Sequence, residues 1–264
     1  SIVLKKICES KGIIFTKREL GKVSNSLDRV ARLIAFVTPR DVAWIIQQIK
    51  MEKSEVLVWL DRSHYGLIGF FIRMFFMGRK IKIFTFHHNN EVEYIKSLNL
   101  LQNHIERYKP NNIIKIISIS FSQWLCNLIS THHFCISPAD ASSMGLEQGK
   151  FSILPPAIKK NRMNLGAYSS KHKKNRIILI GSDFLPNSYA IKWFISNVAP
   201  HLCEYQIDIY GKITQKAEFK KNNNVNFRGY VEDVSDIYRE GEIFAAPIFH
   251  GSGLKVKIAE ALCY

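Results

Sequence analysis

Between Phe244 and Tyr264 an apolar run, a glycine turn and two lysines stand in the order that an anion site requires. Ile243 to Ile248 has the composition of a strand, and Gly251-Ser252-Gly253 reads as the turn. After it, Leu254, Ile258, Ala261 and Leu262 recur at helical spacing as one apolar face. A glycine turn ahead of a helix leaves backbone N–H groups unpaired at the positive end of the helix dipole. Gly251 and Gly253 put no Cβ in the way of a ligand. Lys255 and Lys257 follow in the first turn, where cations oppose the dipole, so they suit a phosphate better than they suit the helix. With Glu260 these residues point to a phosphate-bearing ligand. The plainer alternative is a helix start with two solvated lysines.

Other chemistry-bearing groups point less far. His87 and His88 are adjacent, so on a strand they face opposite ways and cannot hold one metal; His132 and His133 have the same geometry. Asp61, Ser63 and His64 crowd one loop without a nucleophile elbow around them. Glu91 and Glu93 read equally as a pair of bases or as carboxylates at a helix start. The five cysteines form no CxxC spacing, which indicates a reduced, cytoplasmic protein. No metal and no cofactor is expected.

Residues 1–170 carry 24 Lys and Arg against 12 Asp and Glu, and residues 171–264 carry 13 against 10. A partner selected by bulk charge therefore meets the first part, with an anionic membrane surface and an anionic substrate both open. The aromatic residues fall at core positions and are not interleaved with basic ones, which speaks against nucleic acid. The stretch 66–77 is too short to span a bilayer. Packing on a sheet is the preferred reading for it, with a membrane interface as the alternative.

These residues need elements to position them. Short strands are expected at 12–16, 55–60, 80–86, 131–137 and 151–154. Helices are expected over 26–50 (broken at Pro39, with a restart capped by Asp41), 66–77, 90–108 and 140–149, with a further apolar stretch at 113–129. A polar, basic run at 159–174 reads as a linker between domains at 1–158 and 175–264. Beyond it, strands at 176–180, 206–210, 225–231 and 243–248 alternate with helices at 188–202, 214–221 and 234–239, which means βαβ units and a parallel sheet. Every one of these strands runs into a loop bearing glycine: Gly181-Ser182, Gly211-Lys212, Gly229-Tyr230 and Gly251-Ser252-Gly253. In such sheets ligands bind beyond the carboxyl ends of the strands.

IGSDFLPN, IDIYG, VNFRGYVED and API followed by HGSGLKVKIAEAL resemble the nucleotide-sugar-binding domain of GT-B fold glycosyltransferases, the family-four type of bacterial surface-polysaccharide synthesis. FHHNNEVEY and CISPADASSMG are similar to acceptor-side segments of the same family. The resemblance implies an α/β protein of two Rossmann-like domains facing a cleft, expected to be incomplete at both chain ends. It implies sugar transfer from a nucleotide diphosphate sugar to a glycan or lipid-linked acceptor, without a metal and with retained anomeric configuration. By the same resemblance Gly181, Ser182 and the Gly251 to Leu254 turn lie at the diphosphate, with Gly211 and His250 also among the donor-binding residues. Gly229, Tyr230 and Val231 meet the base, and Glu260 holds the ribose hydroxyls. The family's Arg and Lys after the first strand are absent from GSDFLPN, so Lys192, Lys255 or Lys257 takes the charge of the leaving group, while His88, Asn89 and Glu91 face the transferred sugar and the acceptor. Ser252 stands where many members have the first of two paired glutamates. A GT-B sugar-nucleotide epimerase and an inactive nucleotide-binding or membrane-docking module remain the alternatives.

Overall fold

The computed structural model describes residues 38–53, 55–101, 109–157, 175–215, 219, 223–234, 237–238, 243–250 and 253–263. The strand expected at 12–16, the first part of the helix at 26–50 and the linker at 159–174 lie outside them. So do most of the helices expected at 214–221 and 234–239; within the first, Lys212–Gln215 form a single 3-10 turn.

In chain order the elements are α1 (Pro39–Met51), β1 (Val56–Leu60), α2 (Gly66–Phe75), β2 (Ile81–His87), α3 (Glu91–Leu100), α4 (Pro110–Ile129), β3 (His132–Cys135), α5 (Pro138–Ser143) and β4 (Phe151–Ile153). There follow β5 (Arg176–Ile180), α6 (Leu185–Asn197), β6 (Gln206–Tyr210), β7 (Val225–Gly229), β8 (Ile243–Phe244) and α7 (Val256–Ala261). The start of α1 differs from expectation. Thr38 is the N-cap and Pro39 opens the helix, while Asp41 sits at the third position and closes a capping box with Thr38. Proline is tolerated there because the first N–H groups have no partner inside the helix. At the other end, α6 stops at Asn197 and a 3-10 turn, Ala199–His201, takes over at Pro200.

The strands form two four-stranded sheets, ordered β1-β2-β3-β4 and β7-β6-β5-β8. In the second sheet every neighbouring pair is parallel. Ile177, Leu179, Ile207 and Ile209 pack against Ile191, Phe194 and Ile195 of α6. β5 and β6 are buried on both faces, as a parallel sheet covered by helices requires. Only Ile243 and Phe244 of the expected 243–248 strand pair with β5; Pro247 has no N–H to extend the ladder.

By Cα proximity the chain divides into two units, residues 1–85 with 117–131, and residues 86–116 with 132–264. In the first unit the core gathers Leu60, Ile68, Ile72, Ile81, Ile83 and Ile129, so α2 does pack on its sheet as preferred above. Three described glycines needed for turns, Gly211, Gly229 and Gly253, have positive φ.

Candidate nucleotide site

Because β5, β6, β7 and β8 run parallel, the loops after them leave one edge of the sheet. Gly181 N donates to Tyr210 O at 2.9 Å, and Gly211 N to Gly229 O at 2.7 Å, so three of the expected glycine turns touch there. Two of them lack side chains for the protein's own sake. A Cβ on Gly211 would sit 2.1 Å from Gly181 O, and one on Gly181 would meet Ile213 at 2.8 Å. Gly229 instead faces open space. Tyr230 beside it is exposed, with Lys212 Nζ 5.5 Å above its ring, whereas Val231 packs toward Ile178 and Tyr210.

At the same edge a cavity of about 320 Å³ opens between the end of β5, the first turns of α6, the segment after β8 and the start of α7. Its polar lining comes from Ser182, Asn187, His250, Lys255 and Lys257. Lys257 reaches back, donating from Nζ to Ile180 O at 3.1 Å and to Asn187 Oδ1 at 3.4 Å. Asn187 in turn donates to Ser182 Oγ at 3.0 Å. Burial lowers the pKa of Lys257, against the opposing pull of Glu260. The same cause lowers Lys255, against Asp140. Two partly desolvated ammonium groups on one wall are a site for an anion, because charge is worth more where water is thinned out.

The helix after the glycine turn is shorter than expected. α7 starts at Val256, has no side-chain cap and spans six residues, none of them buried. Leu254, Ile258 and Leu262, read above as one apolar face, are exposed. Any anion here is therefore held by the lysines and loop N–H groups more than by a helix dipole. Glu260 Oε2 accepts from the Tyr238 hydroxyl at 3.3 Å. Gly251 and Ser252 lie outside the described residues.

Gly253 brings the two ends of this unit together. A Cβ there would stand 3.1 Å from Asn89 Cβ, 3.4 Å from His88 O and 3.6 Å from Asp140 Oδ1. His88 and Asn89, expected on the acceptor side, thus abut the expected diphosphate turn. His88 lies edge-on to Phe86 at 4.7 Å, and Glu91 is buried in the first turn of α3. Asn90 caps that helix through Val92 N and Glu93 N and binds Ser143.

Asp140 escaped the sequence reading. It is buried in the first turn of α5 and accepts from Ser137 Oγ at 2.5 Å; its sequence signature is only that of a capped helix start. The pairing of His87 Nε2 with His133 Nδ1 at 3.0 Å across β2 and β3 was also missed. Among the described residues no group of three or more metal-ligating side chains gathers.

Comparison with known proteins bears on this edge of the sheet. Residues 174–264 match the model of the family described as glycosyl transferases group 1. The match covers about a third of the chain. Among solved structures, a variant of S. aureus TarM in complex with fondaparinux, alpha-GlcNAc-glycerol and UDP is 15% identical, with a TM-score of 0.53 over 84% of this chain and 42% of that one. A glycosyltransferase from Rickettsia africae is 14% identical, with a TM-score of 0.56 over 98% of this chain and 66% of that one. At such identities the likeness is one of fold, and the fold is the α/β GT-B type. The chain spans less than two thirds of either structure's length. No curated protein matches it. Of the residues placed above, Gly181 to Lys257 and Glu260 fall within the matched region.

Proposed function

We infer that this chain works in a glycosyltransferase, moving a sugar from a nucleotide diphosphate sugar to a glycan or lipid-linked acceptor on the cytoplasmic side. The observation that carries the reading is the cavity with Lys255 and Lys257 on its wall, inside the region that matches the group 1 family and beside the His88–Asn89 turn. As the bond from the anomeric carbon to the phosphate oxygen breaks, negative charge grows on the departing diphosphate. Lys255, Lys257 and the N–H groups around Gly253 offset that charge without a metal. Glu260 can accept two hydrogen bonds from a ribose diol. Tyr230, exposed at the end of β7, is the ring against which a base would lie. His88 and Asn89 meet the sugar from the acceptor side, and the transfer retains configuration.

UDP, GDP and ADP, each alone and as a sugar conjugate, are the probes. Ligand at a hundred times its Kd stabilises the fold by ~2.7 kcal/mol, read as a rise in Tm. Lys257→Ala and Glu260→Ala are expected to lose most of that rise. A chain whose Tm ignores every nucleotide would sink the reading. Conversion of a sugar nucleotide with no acceptor present would assign an epimerase instead.

A further inference from the structure

Asn187 occupies a position that a helix ordinarily uses for its own start. α6 begins at Leu185, and its N-cap, Phe184, makes no side-chain cap bond. Three residues after a cap, a polar side chain commonly folds back to the cap's N–H. Asn187 sits there and reaches outward instead. Its Nδ2 donates to Ser182 O at 3.1 Å and to Ser182 Oγ at 3.0 Å, and its Oδ1 accepts from Lys257 Nζ at 3.4 Å. One amide thereby joins the loop after β5, the first turn of α6 and the first turn of α7. Ser182, Asn187 and Lys257 all line the cavity at the sheet edge.

The amide fixes what each neighbour still has to offer. An ammonium only donates and a backbone carbonyl only accepts, so Lys257 Nζ and Ser182 O together set which arm of Asn187 faces which partner. Lys257 Nζ has three N–H groups. Ile180 O at 3.1 Å takes one and Asn187 Oδ1 another, which leaves a third for a ligand in the cavity. Ser182 Oγ accepts from Asn187 and so keeps its own O–H to give. A cationic and a neutral donor on one wall are what the oxygens of a phosphate bind. Burial also works against the charge on Lys257, so the acceptors around its ammonium help to keep it protonated. No other side chain does both tasks at this length: leucine would lose both arms, and aspartate would lose the donor to Ser182.

We propose that Asn187 is the positioning residue of the anion site, holding the Lys257 ammonium and the Ser182 hydroxyl at the end of β5 to receive the phosphate oxygens of a nucleoside diphosphate. This role rests on the nucleotide reading above. Calorimetric titration of the full chain with UDP and with pyrophosphate, from about pH 7 to about pH 10, tests it. Asn187→Leu should weaken UDP by ~tenfold or more. It should also move the alkaline fall of affinity to lower pH, because Lys257 loses an acceptor. Asn187→Asp, which keeps the shape, should move that fall to higher pH, because a carboxylate favours the ammonium. On a Lys257→Ala background, Asn187→Leu should weaken UDP by less than it does alone. A merely structural role would lower Tm and affinity while leaving the midpoint of the fall where it is. Wild type and both variants sharing one midpoint, with UDP bound by the wild type, overturns the role of Asn187 alone. A wild type that binds neither UDP nor pyrophosphate overturns the nucleotide reading and this role with it.

Discussion

His87 and His133 are both buried, paired across two strands. Burial, with the charge of neighbouring histidines, pulls His87 from 6.5 down to about 3. Burial, with His132 and Lys150, pulls His133 down to about 4. Both are neutral in the folded protein at neutral pH and protonate readily once unfolded. The unfolded chain therefore binds more protons between about pH 4 and 6.5, and stability rises with pH across that window. The pair's contribution is fully present above the unfolded value and is lost as pH falls toward the folded ones. Each unit of pH below 6.5 should cost roughly 1.4 kcal/mol per histidine. His133→Asn, which keeps a polar group toward His87, should flatten the fall of Tm on acidification by about half. An unchanged slope would remove the pair from the account. The lysines titrate in the other direction. Since burial lowers both Lys255 and Lys257, UDP affinity should decline on raising pH before ordinary lysines discharge, and Lys257→Ala should blunt that decline in calorimetric titrations.

Among elements, the edge of the second sheet is the most tightly determined. Gly211 has φ +102 and its missing Cβ would strike Gly181 O, so Gly211→Ala combines backbone strain with a backbone clash. Gly229 has φ +85 but open space. Gly229→Ala is expected to cost about 1 kcal/mol and Gly211→Ala more than about 3, seen as unequal drops in Tm. Strand pairing is also fastened by charge. Asp208 is fully buried on β6, and although burial raises its carboxyl, bonds from Arg228 and from Arg176 outweigh this and lower it. Arg176 Nε lies 2.6 Å from it and is itself buried. Asp208→Ala leaves Arg176 charged without this partner and should cost ~3–5 kcal/mol, measured by denaturant unfolding. The strands themselves were legible from runs such as RIILI and QIDIY, because side-chain alternation and burial follow locally from composition. The start of α1 was misplaced because Thr38 and Asp41 both suit a cap. Only the bonds they make decide between them.

At the scale of the whole molecule, charge and apolar surface are unevenly shared. Residues 1–170 hold the larger excess of cations, while Lys255 and Lys257 lie in the remainder. Screening shortens to about 8 Å near physiological ionic strength, but partly buried charges feel it less. UDP affinity should therefore fall only shallowly as salt rises in calorimetric titrations, since both lysines are partly buried. The sequence by itself determined the order and type of most elements, the parallel second sheet and the glycine turns along its edge. Those follow from hydrophobic period and turn chemistry, which act between near neighbours in the chain. Only the tertiary structure decided that Asp140 and Asn89 stand against Gly253, that His87 meets His133 across two strands, and that α4 keeps an apolar side uncovered. Such contacts join residues far apart in the chain, and no local pattern encodes which of many apolar or polar side chains will meet once the sheets have formed.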